Sequence, residues 1–304
     1  MFESTVWAGA ASDADHALMQ EAQGDYKYGS NKARYKRDYV YLAIRGKVDV
    51  MSKKYNRFVV SKWTKTCVLS ENTKIRAHIP PTEKMTHSSL KSMLDKYRMV
   101  YIKPDKGTFG IGVMRVEVDS DASKPVYRYQ SGSEIRKFSS YDDMYDSIID
   151  LTKNRLYLVQ MGIHLTKYLK RSFDIRVHVQ QSPQKKWETT GIIGRVADPK
   201  KIVTNVHNGG QIKSIETLLK AYLPADKQKI FIRYLKKLGL VTAEELFKTY
   251  KGIKEVGLDI ALDKDLKPWI LEVNTNPDPY IFNRLKDKTM YRKVYRYAKA
   301  YGRV

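Results

Sequence analysis

Apolar and polar positions along the chain change period several times, and each change marks a predicted element. Over residues 88–97, Leu90, Met93, Leu94 and Tyr97 recur at helical spacing. Residues 99–103 and 113–118 run apolar over strand lengths, with a glycine-containing loop between them. The same reading predicts strands over 57–60, 126–130 and 156–161 and an amphipathic helix over 141–152. Residues 173–181 and 188–196 read as paired strands joined by the polar SPQKKW turn. Helices are expected at 62–69, 215–222, 227–238, 243–252 and 282–301, the fourth with Thr242 as N-cap and Glu245 three residues on. Within the last of these, Met290, Val294, Tyr297 (or Ala298) and Tyr301 form a stripe suited to core packing.

The stretch GLDIALDKDLKPWILEVNTNP, residues 257–277, has a period of two on either side of a polar turn. Asp259, Ala261 and Asp263 share one face; Ile270, Glu272 and Asn274 share another. A hairpin closing symmetrically about residues 264–267 sets Asp259 opposite Glu272, with Asn274 next along. Like charges facing each other across a ladder are destabilising, so a cation between them is one reading. Two carboxylates and an amide oxygen suit Mg²⁺, which prefers a few such ligands plus water and substrate phosphates. Solvent-facing acids on a half-buried hairpin are the other reading. An EF-hand is excluded, because the required glycine and closing glutamate are missing.

Composition narrows the class. The chain has 304 residues, 42% hydrophobic and 11% aromatic, which is enough for a sizeable core and not a disordered composition. No apolar run reaches the ~20 residues of a membrane helix, and the first residues lack the pattern of a secretory signal. One cysteine, Cys67, excludes an internal disulfide, fits a reducing, cytoplasmic compartment and reads as a packing residue. A net charge of +23 predicts attraction to polyanions: nucleic acid, an anionic surface or an acidic peptide. Basic residues are spread along the sequence, so a generally basic solvated surface explains the charge as well.

A second stretch carries phosphate chemistry. In MVYIKPDKGTFGIGVMRV, a strand, a loop and a strand follow one another. Gly107, Gly110 and Gly112 let backbone N–H groups approach an anion, and Lys103 ends the first strand as a point charge. Neither a Walker A loop nor a Rossmann fingerprint is present. Glycines serving only hairpin geometry are the alternative.

The segments VYIKPDKGTFGIGV, YLVQMGI, FDIRVHVQ, GRVADPKKIVTNVHNGG and VGLDIALDKDLKPWILEVNTNP, in that order, resemble the ATP-grasp superfamily. Within it they are most similar to the YheC/YheD group of endospore coat-associated proteins. The resemblance implies an α+β fold, two lobes whose antiparallel sheets enclose an ATP cleft. It implies a leader over 1–55, a first lobe with a glycine flap over 56–160, a second lobe with a metal site over 161–281, and a basic C-terminal helix over 282–304. Lys62 and Lys103 take the places of the two ATP lysines, with Lys65 a close competitor for the first. The flap carries Lys106, Gly107, Gly110 and Gly112. Gln160, Met161 and Ile163 take the place of the hinge that reads adenine, although a glutamate is common at 160. Asp259, Glu272 and Asn274 take the place of the Mg²⁺ ligands. Arg176 and Arg195 are implied as clamps on the γ-phosphate or a substrate carboxylate, with Asn205 and the loop 207–210 offering N–H groups to an anion. From the residues alone, a structural ion pair between Asp174 and Arg176, and a turn role for Arg195, remain equally open.

The implied activity is an ATP-dependent carboxylate–amine ligation through an acyl phosphate, on an acidic peptide or protein if the positive charge is complementary to substrate. The alternative from another class is a catalytically silent coat protein that binds polyanions. A nucleic-acid module lacks any motif in the sequence, and phosphoryl transfer to a hydroxyl would use the same phosphate site.

Overall fold

A computed structural model of the protein describes residues 56–119, 124–198 and 210–304. The expected leader, Asn205 and His207 lie outside the described residues. The described strands form two antiparallel sheets. The first has the order β1 (Thr82–Lys84), β6 (Tyr157–Met161), β2 (Met99–Pro104), β3 (Met114–Asp119), β4 (Val126–Ser131), β5 (Glu134–Phe138). The second runs β10 (Gln211–Lys213), β9 (Trp187–Val196), β8 (Arg171–Gln181), β11 (Glu255–Leu262), β12 (Pro268–Asn274), with β7 (Lys167–Tyr168) also on β8.

Alternation along the strands decides what covers each face. In β2, Val100 and Ile102 join Val116 and Tyr129 under α3 (His87–Tyr97) and α4 (Tyr141–Thr152), whose Leu90, Leu94, Met144 and Ile148 face them. Tyr101 and Lys103 therefore point the other way. In β8, Phe173, Ile175, Val177 and Val179 pack under the long helix α6 (Ala225–Thr249), leaving Asp174, Arg176, His178 and Gln180 on the opposite face. That polar row is buried as well. Helix α1 (Lys62–Glu71) and the turn α2 (Thr73–Arg76) add Leu69 and Ile75 to the core of the second sheet. Residues 62–79 are thus structurally part of the second half, although they precede the first sheet in sequence.

Several expectations change on inspection. Residues 57–60 are irregular, and the short edge strands β1, β5 and β10 have no period-two signal long enough to register. The two helices expected at 227–238 and 243–252 are one helix. Gly239 is not a break in it: a Cβ there would sit 2.8 Å from Val177 Cγ1, so the glycine permits close packing on β8. Thr242 caps nothing; its hydroxyl donates back to the Leu238 carbonyl at 2.8 Å inside the buried helix face. The C-terminal helix is a 3₁₀ segment, Pro279–Arg284, followed by α7 (Thr289–Ala300), the remaining short helix being α5 (Ile215–Leu219). Val294 and Tyr297 are buried, so the predicted stripe is core packing. Cys67 is exposed rather than packed.

The β11–β12 hairpin reaches the expected pairing by an unexpected route. Leu262 pairs with Pro268, so the loop is residues 263–267, one longer than predicted. A bulge then skips Leu271: Ile260 pairs with Ile270, and the next pair is Asp259 with Glu272. The two irregularities offset each other. Ile270 and Val273 consequently belong to the core, and Ile270 does not share a face with Glu272 and Asn274.

Candidate active site

A cavity of about 500 Å³ lies between the two sheets, within the ~300–1,000 Å³ typical of small-molecule sites. Lys62, Lys103, Arg176, Arg195, Asp259 and Glu272 all contribute to its wall, as do Gln160, Met161, Ile163 and Asn274. Gly107 and Gly110 form part of the rim, but Lys106 is exposed and, like Gly112, lies outside the lining. Gly112 has φ +78°, and a Cβ there would approach the Tyr157 hydroxyl to 2.7 Å, so turn geometry accounts for it.

The two lysines meet through Asp105, a residue that sequence reasoning passed over. Its backbone carbonyl accepts from Lys62 N at 3.0 Å. Its carboxylate accepts from Trp63 N at 2.8 Å and from the Ser61 hydroxyl at 2.9 Å. Asp105 thereby caps α1 from the end of β2 and fixes Lys62 beside Lys103. Lys62 Nζ donates to the Gly107 carbonyl at 3.0 Å and lies 3.4 Å from Glu272. Lys65 instead donates to the Val59 carbonyl at 3.1 Å and does not line the main cavity. Of the two competitors, Lys62 is the one on the site.

Lys103 is buried and donates to Gln160 Oε1 at 2.8 Å and to the Leu271 carbonyl at 2.9 Å. Burial lowers its pKa to about 8, with Glu272 opposing and Lys62 adding to the shift. Gln160 passes the chain of bonds on by donating to the Thr82 hydroxyl at 2.9 Å. The Met161 and Gly162 amides are taken by the Pro81 and Met99 carbonyls. Ile163 N has no backbone partner among the described residues.

On the second sheet four charges form one buried chain. Arg176 Nε donates to Asp259 Oδ1 at 2.6 Å, and these two residues are directly paired across β8 and β11. Arg195 grips Asp174, its direct partner across β8 and β9, through Nε at 2.8 Å and through a terminal nitrogen. That terminal nitrogen also reaches Asp259 Oδ2 at 2.9 Å. Asp174 therefore pairs with Arg195 rather than Arg176, and Arg195 lies within a strand rather than in a turn. Burial would raise the Asp259 pKa, but the two guanidiniums hold it below the ordinary carboxylate range. The cations that relieve the Asp259–Glu272 apposition are thus the protein's own arginines and Lys62.

Mg²⁺ fits part of the expected ligand set directly. Glu272 keeps 28% of its side chain exposed and has Lys62, at 3.4 Å, as its ion-pair partner. Asn274, two positions along the same face, has no side-chain hydrogen bond among the described residues. Both present oxygen donors to the cavity, as Mg²⁺ requires. Asp259 has both oxygens engaged by arginine, so it fits as a charge behind these two more readily than as a third direct ligand.

Beyond Asn274 the wall continues through Asn276, Asp278, Tyr280 and Arg284, and Arg303 joins it from the C-terminal segment. Sequence reasoning missed these residues. The only available signal was the continuation of the hairpin motif into NPDPY.

Two antiparallel sheets closing on a cavity, with Lys103 and a glycine loop from the first and a carboxylate hairpin from the second beside Lys62, define an ATP-grasp fold. The chain belongs to the YheC/D-like ATP-grasp family, whose model matches residues 52–304. It is 26% identical over 256 residues to endospore coat-associated protein YheD of Bacillus subtilis (strain 168), covering 80% of this chain and 55% of that protein. It is 23% identical over 222 residues to endospore coat-associated protein YheC of the same organism, covering 73% of this chain and 61% of that one. The alignments thus take in somewhat over half the length of these two relatives. Among solved structures, D-cycloserine synthetase DcsG shares the fold at TM-score 0.50 and 11% identity, over 81% of this chain and 70% of that one. No helix among the described residues is long and apolar enough to cross a membrane.

Proposed function

We propose that the protein is an ATP-dependent carboxylate–amine ligase working in the cavity between the sheets. The observation that carries this reading is the convergence of Lys62, Lys103 and the Glu272–Asn274 pair on one cavity although they come from three distant stretches of the sequence. A wall of this composition suits a triphosphate: Lys103 and Lys62 neutralise its oxygens, and Gly107 and Gly110 let the loop approach it. Ile163 N–H and the neighbouring backbone suit the adenine edge. A divalent ion held by Glu272 and Asn274, with Asp259 behind them, would neutralise charge on the β- and γ-phosphates.

In the reaction, a substrate carboxylate oxygen bonds to the γ-phosphorus as the bond to the ADP oxygen breaks, giving an acyl phosphate. The amine then bonds to the carbonyl carbon, phosphate leaves, and the amine gives up a proton to solvent. Arg176 and Arg195, held rigid by Asp259 and Asp174, would orient the carboxylate and stabilise charge on the transferring group. Phe109 and Ile111, exposed at the lip of the cavity, would cover the site and keep water from the acyl phosphate.

A second reading, a catalytically silent coat component, draws on one observation: both Asp259 oxygens are already paired within the protein. The two Bacillus subtilis relatives are endospore coat-associated proteins, which also fits this reading. Intact mass spectrometry after incubation with ATP, Mg²⁺, amino acids and acidic peptides separates the two. Under the ligase reading an adduct of amino acid less water forms, and it is absent with Glu272→Ala. Absence of any adduct, with ATP uncleaved and no nucleotide bound, selects the silent reading.

A further inference from the structure

The main cavity does not end at its own wall. A second cavity of about 250 Å³ adjoins it, and Asn276 and Arg303 line both. Charge along this tract is one-sided. Arg284 lines the main cavity and makes no ion pair or hydrogen bond among the described residues. Arg303 uses Nε on Glu255 Oε1 at 3.2 Å, and its terminal nitrogens have no partner among the described residues. Arg57 and Lys254 line the second cavity, held among the described residues through the Gly302 carbonyl and the Gln181 amide oxygen.

The two carboxylates of the tract are already engaged. Glu255 accepts from the Tyr301 hydroxyl at 2.8 Å besides Arg303, and Asp278 caps the 3₁₀ segment by accepting from Tyr280 N at 2.8 Å. A small amino acid would fill only the first cavity and leave Arg284, Arg57, Lys254 and the terminal nitrogens of Arg303 without an anion among the described residues. Guanidinium forks match carboxylates in geometry as well as charge.

We infer that the tract from Asn274 past Arg303 binds the ligation substrate as an extended acidic peptide. Arg284 and Arg303 grip its carboxylates, and the second cavity takes residues next to the one being joined. This rests on the ligase reading above and adds the substrate class and the residues that select it.

The test measures binding, not turnover. Fluorescein-labelled hexaglutamate is titrated by anisotropy at physiological ionic strength, with ADP binding followed in parallel. The double variant Arg284→Gln/Arg303→Gln is expected to weaken peptide binding by about tenfold or more while ADP affinity is unchanged. Arg284→Gln alone, which removes no side-chain hydrogen bond or ion pair among the described residues, should account for at least about threefold. A charge-matched control, Arg292→Gln/Lys299→Gln, alters two exposed residues of α7 and should change binding less than about twofold. Equal weakening by both doubles would assign the peptide to the general basic surface and overturn the inference. Tight peptide binding that ignores Arg284 and Arg303 would do the same. Failure of the wild type to bind ADP would instead count against the ligase reading, whatever the peptide does.

Discussion

Lys103 Nζ donates to the carbonyl of Leu271 at 2.9 Å, a bond that ties the first sheet to the second across the cavity. Leu271 is the residue that the β12 bulge leaves out of the ladder. The same ammonium is buried and titrates near 8. One side chain is therefore a joint between the sheets and a charge poised for an anion.

From this, ADP affinity should fall as pH rises from 7 to 9, because the free protein loses the Lys103 charge through about 8. Calorimetry in buffers of different ionisation enthalpy should report proton uptake on binding at and above pH 8. The stability sign follows from the same shift. An unfolded lysine holds its proton to about 10.4, so between about 8 and 10.4 the unfolded chain binds more protons and the Lys103 contribution rises with pH. In urea titrations, wild type should therefore gain on Lys103→Met between pH 8 and 10. A gap that stays flat over that window would mean Lys103 is not the titrating group.

Gln160→Glu places an anion at the position 2.8 Å from Lys103 Nζ. An opposite charge at that range favours the ammonium. The pH at which ADP affinity declines should move upward by about one unit or more, read from the same titrations. An unmoved profile would show that Gln160 does not set the lysine's charge.

Asp174→Ala strips Arg195 of its strand-to-strand partner while the guanidinium stays buried. Removing one partner of a buried ion pair costs about 3–5 kcal/mol, and urea denaturation should show a loss of that order. Glu272→Gln, by contrast, removes a partly exposed carboxylate with a 3.4 Å contact. Its stability should change by less than about 1 kcal/mol, while adduct formation disappears. The contrast separates a residue that holds the site from one that works in it.

Gly239→Ala should destabilise despite gaining helix propensity. Alanine gains about 1 kcal/mol over glycine in a helix, whereas overpacking costs about 1–3 kcal/mol. The new methyl would lie 2.8 Å from Val177 Cγ1 and 3.0 Å from Val179 Cγ2, on β-branched residues of a central strand that cannot turn aside. A thermal melt with a raised midpoint would contradict the packing account.

The elements that build the cavity were largely legible, because each carries a strong period: β2 with the loop behind it, the polar and apolar faces of β8, and the β11–β12 hairpin. Asp259 opposite Glu272 followed from strand arithmetic, with the unforeseen bulge at Leu271 offsetting a loop one residue longer than predicted. What stayed hidden depends on through-space relations that no local period encodes. The pairing of Asp174 with Arg195 requires knowing that β9 lies beside β8. Gly239 looks like a stop signal until Val177 is placed beneath it, and Asp105 looks like a loop acid until α1 arrives to be capped. The attachment of residues 62–79 to the second core runs against chain order. Arg284 ends a short 3₁₀ segment and Arg303 sits in irregular chain, where sequence pattern is weakest.

The bulge at Leu271 also bears on how the hairpin tolerates changes in length. Straightening the ladder with Leu271 retained would pair Leu271 with Asp259 and turn Glu272 and Asn274 to the α6 side and Val273 to the cavity, whereas deleting Leu271 leaves a regular ladder with Glu272 still opposite Asp259. In this hairpin, loss of Leu271 should preserve the facing of the carboxylates, whereas a one-residue slip of β12 against β11 should not. Spacing, as much as residue identity, is what keeps its carboxylates on the working face.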